Sequence, residues 1–320
     1  MLSTLLLLAA GLLLVVFGAD WLVDGASSIA RKLKISEFVI GLTIVGFGTS
    51  CPELVVSVTG AVEGISDIAV GNVIGSNVFN TLLILGLTAL IMPIAITRNN
   101  KRRDIPVTLL VTFLLVFCGM SKTLLNLGLA DGLSRVEGIV FLLLFGIYIF
   151  WCFKHDEGIK EEEDKAGKTS ALWLAILLSA GGIAALIFGG QLFVDNAVNI
   201  AKALGVSDKF IAITLLAGGT SMPELAACIV AAIKKKGQLA LGNILGSNIF
   251  NILLILGTSA VIRPISFSGL NLVDVLVLLL SIILVWLSSY TFVKNKIDRY
   301  EGAVFVLTFI AYYIWLFIKL

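Results

Sequence analysis

The sequence predicts an all-α polytopic membrane protein with ten transmembrane helices, arranged as two inverted five-helix repeats. The 320-residue chain is 58% hydrophobic and only 14% charged, with a mean hydropathy of +1.05, whereas soluble domains carry about 25% charged residues. A shift of 171 positions aligns the first half of the chain with the second. The net charge of +2 is too small to indicate nucleic-acid binding.

Ten apolar stretches are long enough to cross a bilayer core, which needs about 20 residues per helix. They cover residues 3–24, 38–61, 68–92, 105–121, 134–153, 171–194, 209–233, 238–262, 272–291 and 300–318. The first lacks the basic start of a signal peptide and has a later counterpart, so we interpret it as a retained helix. Asp20, Asp24 and Asp195 fall toward the ends of stretches one and six, where helix capping is expected, and Asp274 opens stretch nine.

One hydrophilic segment divides the chain. Residues 1–153 form the first predicted repeat, 154–170 an acidic linker and 171–320 the second repeat. The linker carries consecutive acidic residues at 161–164, which we interpret as solvated rather than as a calcium-sensing patch. The four cysteines lack CxxC spacing and lie in or beside apolar segments, which indicates small core residues rather than disulfides or a metal site.

The distribution of basic residues predicts the orientation in the cell membrane. Seventeen of the 23 lysines and arginines lie in the odd-numbered connections, and cytoplasmic connections carry an excess of these residues. The linker is therefore expected in the cytoplasm and both termini in the extracytoplasmic space. Because each repeat has an odd number of helices, the second repeat enters the membrane from the opposite side. Inverted repeats of this kind are typical of secondary transporters.

Two hexapeptides, GTSCPE at 48–53 and GTSMPE at 219–224, carry the most unusual chemistry. A proline inside a helix leaves a backbone carbonyl without its partner, and such backbone at membrane depth lines cavities or is buried in protein. On a continuous helix, Thr49, Ser50 and Glu53 would share one face, because residues three and four apart are neighbours. The hexapeptides therefore predict a cluster of oxygen atoms inside the membrane, at the axis where the two halves meet.

Polar residues recur at every fourth position in two further segments, GNVIGSNVFN at 71–80 and GNILGSNIFN at 242–251. We predict that Ser76, Asn80, Ser247 and Asn251 bind an ion, with interhelical hydrogen bonding as the alternative. For Asn72 and Asn243 both roles stay open. The glycines at 71, 75, 242 and 246 form GxxxG patterns, which serve close helix packing or the site itself.

Glu53 and Glu224 are the strongest candidates for ion ligands. An acidic residue at the centre of a transmembrane helix costs about 3 kcal/mol even on insertion scales, and no lysine or arginine lies near the middle of any predicted span. A cation is the expected partner. Because the candidate ligands are oxygens, calcium or sodium is favoured over zinc or copper. No cofactor is expected.

Through these paired segments the chain resembles the sodium/calcium exchanger family of the cation/calcium antiporter superfamily, and most closely its prokaryotic members. The resemblance identifies residues 41–86 and 212–257 as the two alpha repeats of that family. It implies antiport of sodium against calcium by alternating access, with the ion sites on helices two, three, seven and eight. It also implies that helices one and six slide past the others.

The resemblance implies a role for each site residue. Glu53 and Glu224 would be ligands shared by calcium and sodium, and the carbonyls of Thr49 and Thr220 would bind calcium. The remaining sodium ligands would be the hydroxyls of Ser50, Ser76, Ser221 and Ser247 with the carbonyls of Gly46 and Ala217. Asn80 and Asn251 would line the middle of the cluster. Some family members carry aspartate where this chain has Asn251, which argues against potassium co-transport here.

Other functions are compatible with the same residues. A proton/calcium antiporter or a potassium-dependent exchanger would use the same carboxylates. A cation channel is a more remote alternative, because oxygen-lined filters also conduct ions. An intramembrane hydrolase is weaker, since no histidine or lysine base lies in the spans, and the chain is not expected to be an enzyme. The expected partners are calcium, sodium and the lipid bilayer, without an obligatory protein partner.

Overall fold

The computed structural model describes residues 2–125, 131–156, 158, 171–205, 217–268, 270–291 and 295–319, and nearly all of them are helical. The helices of the first half are α1 (Leu2–Leu33), α2 (Glu37–Thr49), α3 (Cys51–Glu63), α4 (Ser66–Ile91), α5 (Ile105–Gly119), α6 (Ser121–Leu125) and α7 (Arg135–Lys154). Those of the second half are α8 (Leu172–Ala203), α9 (Ala217–Gly219), α10 (Met222–Ile233), α11 (Gly237–Ile262), α12 (Leu272–Ser288) and α13 (Arg299–Lys319).

Six of the described helices, α1, α4, α7, α8, α11 and α13, are long and apolar enough to cross a membrane. The bent pair α2–α3 makes a seventh, and α10 and α12 are shorter apolar helices. The chain is therefore a multi-pass membrane protein. The predicted acidic cluster at 161–164 lies outside the described residues, as does much of the predicted seventh span before Ala217.

The helix breaks occur at the two hexapeptides. Between α2 and α3 the axis bends by 50° at Ser50, which has φ −83° and ψ 7°. Ser221, just before α10, has nearly the same conformation, with φ −89° and ψ 8°. Both following helices have proline in their first turn, where a missing N–H costs no hydrogen bond.

The centre of the molecule is formed by α4 and α11. Their most apolar windows are 72% and 94% buried, against 22–28% for α1, α7, α8 and α13. Each contains a π-helical stretch in the same place, Phe79–Ile84 in α4 and Phe250–Leu256 in α11. Such insertions are frequent at functional sites. The peripheral helices instead expose leucine, isoleucine and phenylalanine side chains, as expected of a surface that faces lipid.

The long helices α1 and α8 pack against each other through glycines. A Cβ atom added to Gly182 would lie 2.6 Å from the backbone nitrogen of Leu22, and one added to Gly18 would lie 2.9 Å from the carbonyl oxygen of Gly182. Small residues let transmembrane helices approach at such short range. Gly242 and Gly246 play the same part against residues 38–42, whereas Gly71 and Gly75 have no described atom within 4 Å of an added Cβ.

Two short antiparallel ladders join the halves. The strands are β1 (Ile94–Ala95), β2 (Gly132–Leu133), β3 (Ile265–Ser266) and β4 (Lys296–Ile297). Ile94 pairs with Ile297 in the β1–β4 ladder, and Gly132 pairs with Ser266 in the β2–β3 ladder. Each ladder therefore takes one strand from each half of the chain.

The prediction that Asp20, Asp24 and Asp195 cap helices is wrong. All three lie inside α1 or α8, which continue past them. Lys234, at the end of α10, lies 2.6 Å from Asp20 Oδ1 and 2.7 Å from Asp24 Oδ1. Asp274 does belong to a capping box, in which Asn271 is the N-cap of α12.

Candidate functional site

The two glutamates of the hexapeptides lie in the interior, at the first turns of α3 and α10. Glu53 is 0% exposed and Glu224 is 1% exposed. Neither forms an ion pair with a basic side chain in the described part of the chain. Burying a carboxylate without a compensating charge is costly, so these two positions need another source of stabilisation.

Each carboxylate accepts a hydrogen bond from a serine hydroxyl of the opposite half. The Ser50 Oγ donates to Glu224 Oε1 at 2.9 Å, and the Ser221 Oγ donates to Glu53 Oε1 at 3.1 Å. The shared face of Ser50 and Glu53 was predicted for a continuous helix. The helix instead breaks at Ser50, whose hydroxyl donates to the glutamate of the other half.

Each glutamate also lies close to a second serine, which comes from its own half of the chain. Ser76 on α4 donates to Glu53 Oε1 at 3.4 Å, and Ser247 on α11 lies 3.5 Å from Glu224 Oε1. Ser221 also lies 3.2 Å from Ser76. The four predicted serines therefore converge on the Oε1 atoms of the two glutamates.

Four buried oxygen atoms of the predicted ligands have no hydrogen-bond partner among the described residues. They are Oε2 of Glu53, Oε2 of Glu224, Oδ1 of Asn80 and Oδ1 of Asn251. A buried acceptor without a partner costs about 1–3 kcal/mol, and a charged one costs more. A hard cation, which binds carboxylate and amide oxygens, would satisfy these atoms.

Asn77 and Asn248, which were not among the predicted ligands, connect α4 and α11 beside this cluster. Asn251 Nδ2 donates to Asn77 Oδ1 at 2.9 Å, and Asn248 Nδ2 donates to Thr81 Oγ1 at 2.7 Å. The halves differ here, because Ile252 stands where the first half has Thr81. The signal that could have identified both asparagines is the repeated GSN tripeptide.

The outer residues of the cluster are tied to neighbouring helices. The Thr49 hydroxyl donates to the Val45 carbonyl at 3.0 Å and lies 3.1 Å from Asn243 Oδ1. Thr220 Oγ1 lies 3.5 Å from Asn72 Oδ1, and Asn72 Nδ2 donates to the Glu53 carbonyl at 3.2 Å. Both asparagines left open by the sequence thus make interhelical contacts.

Two residues, Gly46 and Ala217, were predicted to bind sodium through their backbone carbonyls. Gly46 is buried, and its carbonyl accepts the Ser50 N–H at 3.1 Å. Ala217 begins α9, and its side chain lies outside the described residues. Among the described residues, no group of three or more His, Cys, Asp or Glu side chains could hold a metal. A cation here would therefore rely on two carboxylates together with neutral oxygens.

A cleft of about 440 Å³ is lined by both hexapeptides. Its lining combines Cys51, Pro52, Thr220 and Pro223 with residues of α8 that include Asp195. The two hexapeptides, where the helices break, therefore border a cavity large enough for hydrated ions.

Comparisons with known proteins agree with this architecture. The family described as "Sodium/calcium exchanger protein" matches residues 3–154 and 174–318. The chain is 40% identical to the "Putative antiporter CaxA" of Alkalimonas amylolytica, with 99% of each chain covered. It is 32% identical to the "Sodium/calcium exchanger MaX1" of Methanosarcina acetivorans, with 98% of each covered.

A solved structure gives the same result for the fold. The sodium-calcium exchanger NCX_Mj, soaked with 2.5 mM Na⁺ and 0.1 mM Ca²⁺, superposes with a TM-score of 0.83. The two chains are 34% identical, and the match covers 97% of each.

Proposed function

Because the chain belongs to the sodium/calcium exchanger protein family of membrane antiporters, we propose that it exchanges sodium for calcium across the cell membrane by alternating access. The observation that carries the proposal is the pair of buried carboxylates, each with one oxygen that has no partner among the described residues. A relative by sequence and a solved structure with this fold are both named as sodium/calcium exchangers.

The charge of the site matches either cargo. Two carboxylates supply two negative charges, which one calcium ion neutralises, and calcium takes about six to eight oxygen ligands. The unpartnered oxygens of Glu53, Glu224, Asn80 and Asn251 would be supplemented by serine hydroxyls and by the carbonyls of Thr49, Thr220, Gly46 and Ala217. Sodium ions would use the same carboxylates, so the two cargoes compete.

Because sodium and calcium compete for one site, the movement of one ion is coupled to the movement of the other without a chemical reaction. A site loaded with calcium or sodium has its charge neutralised, so the protein can change the side from which the site is reached. An empty site carrying two charges resists this change, because charge in an apolar interior is unfavourable. Ten spans in two inverted repeats would provide the two symmetry-related conformations.

The test is calcium uptake by purified protein in sodium-loaded liposomes. In Glu53→Gln and Glu224→Gln, each of which removes one of the two charges, we expect ⁴⁵Ca²⁺ uptake driven by the sodium gradient to fall to the level of empty liposomes. Glu63→Gln is the matched control, since Glu63 is an exposed acid at the end of α3. Uptake retained in either central variant would overturn the assignment.

Coupling to protons is the second candidate, because a buried carboxylate without a cationic partner also suits a proton. Calcium uptake driven by a pH gradient in the absence of sodium would favour it over sodium coupling. Repeating the sodium-driven assay with and without potassium tests the expectation that Asn251, as a neutral residue, does not support potassium co-transport.

A further inference from the structure

A second cleft lies away from the glutamates, beside the β1–β4 ladder. It has a volume of about 490 Å³ and is lined by Ile96, Arg98, Lys101, Arg102, Tyr290 and Asn295. The ladder, extended by a hydrogen bond from the Ile96 N–H to the Asn295 carbonyl at 2.8 Å, holds the two walls together. The ladder therefore ties together two of the chain segments that line the cleft.

Three of the described residues that line this cleft are positively charged. The Lys101 ammonium donates to the Ser289 carbonyl at 2.8 Å and lies 3.8 Å from the ring centroid of Tyr290. Arg98 and Arg102 are exposed, and neither makes an ion pair or a side-chain hydrogen bond with any residue that the structure describes. Their guanidinium donors are available for an anion.

The cleft adjoins an apolar, aromatic surface. Tyr290 packs against Trp286 with ring centroids 5.5 Å apart. Trp286 and its neighbour Leu287, near the end of α12, are 37% and 43% exposed. Tryptophan and tyrosine are enriched where a bilayer meets water, which favours a position for this rim at the depth of lipid headgroups.

The corresponding cleft at the β2–β3 ladder has a different lining. Its volume is about 360 Å³, and its described lining contains Asp131 and Glu137 but no basic residue. The positions 171 residues after Arg98, Lys101 and Arg102 hold Gly269, Leu272 and Val273. The fold therefore does not require the basic residues of the first cleft.

We propose that the cleft beside the β1–β4 ladder binds the phosphate headgroup of an anionic phospholipid. Arg98 and Arg102 donate to the phosphate oxygens, which arginine can contact with two parallel hydrogen bonds, while Lys101 adds positive charge and the acyl chains lie against Trp286. Basic pockets between transmembrane helices on the cytoplasmic side are suited to such lipids, and the basic connections predict that this is the cytoplasmic face.

The test is native mass spectrometry of the full-length protein, titrated in detergent with phosphatidylglycerol or phosphatidylcholine. We expect the wild type to retain phosphatidylglycerol preferentially. Arg98→Gln/Arg102→Gln should weaken that retention by about tenfold or more, since each basic residue near a bilayer surface contributes about 1 kcal/mol. The control Lys32→Gln/Lys235→Gln removes the same charge from exposed residues outside the cleft and should behave as wild type.

Three outcomes would overturn the proposal. If the wild type, the arginine double variant and the lysine control retain phosphatidylglycerol equally, the lipid is attracted to the basic face as a whole and not to this cleft. Equal retention of both lipids by the wild type would exclude headgroup recognition. Displacement of the lipid by inorganic phosphate at equal concentration would indicate a site for a free anion. Should the double variant fail to elute as a single species, Arg98→Lys/Arg102→Lys keeps the charge and should show a smaller but measurable loss.

Discussion

The hydroxyl groups of Ser50 and Ser221 link the two halves at the level of single residues. Each donates to the Oε1 atom of the glutamate in the opposite half, which leaves Oε2 of that glutamate for an ion. The serines therefore orient the carboxylates in addition to any contact they make with sodium.

Removing one of these hydroxyls should weaken ion binding without abolishing transport. For Ser50→Ala and for Ser221→Ala we expect the KM for calcium to rise about five- to tenfold, because a hydrogen bond to a charged group contributes about 1.5–3 kcal/mol and water can replace part of it. The measurement is the calcium dependence of sodium-driven uptake. Thr88→Ala is the control, since that buried hydroxyl bonds within α4; an unchanged KM in both serine variants would contradict the role.

Sequence could predict which residue types gather at the site but not which atoms meet. The glutamates, the serines, Asn80 and Asn251 were predicted from polar residues recurring in apolar segments, and the glutamates and serines lie within hydrogen-bonding distance of one another. The hydrogen bond from Ser50 to Glu224 was missed because helical spacing cannot show contacts between residues that lie 174 positions apart on different helices. Asn77 was missed because it lies outside the four-residue stripe, although it holds Asn251.

At the scale of helices, the pair α1–α8 depends on glycine at the contact. Valine at position 182 would place its Cβ 2.6 Å from the Leu22 nitrogen, and overpacking of this kind costs about 1–3 kcal/mol. We expect Gly182→Val to lower the Tm of the detergent-purified protein by several degrees.

The neighbouring glycine offers a matched comparison. Gly181 has no described atom within 4 Å of an added Cβ, so Gly181→Val should leave the Tm near that of the wild type. Equal Tm values for the two variants would show that the close approach of α1 and α8 does not limit stability.

Helices were easier to predict than their ends. Apolar runs located every long helix that the structure describes. However, α1 extends to Leu33, nine residues past the predicted limit, because charged residues can continue a helix beyond the bilayer core. The same error placed Asp20 and Asp24 at a cap. Their partner Lys234 comes from the other half of the chain, and no local pattern could indicate it.

At the scale of the whole molecule, the distribution of lysine and arginine predicts both termini in the extracytoplasmic space. Single cysteines in a protein without its four native cysteines can test this. In right-side-out vesicles, Ser3→Cys and Lys122→Cys should react with a membrane-impermeant thiol reagent, whereas Lys32→Cys should react only after permeabilisation. The reverse pattern would invert the topology, and the lipid cleft would then face outward.

The β1–β4 and β2–β3 ladders have a consequence for how such a fold could begin. Each half offers one strand at each ladder and receives one from the other half, and the carboxylates depend on the opposite half in the same reciprocal way. A half-length chain alone would leave unpaired backbone edges and an incomplete set of donors. A gene that encoded one half alone would therefore need two copies of its product to supply both strands of each ladder and the hydroxyl donor of each carboxylate.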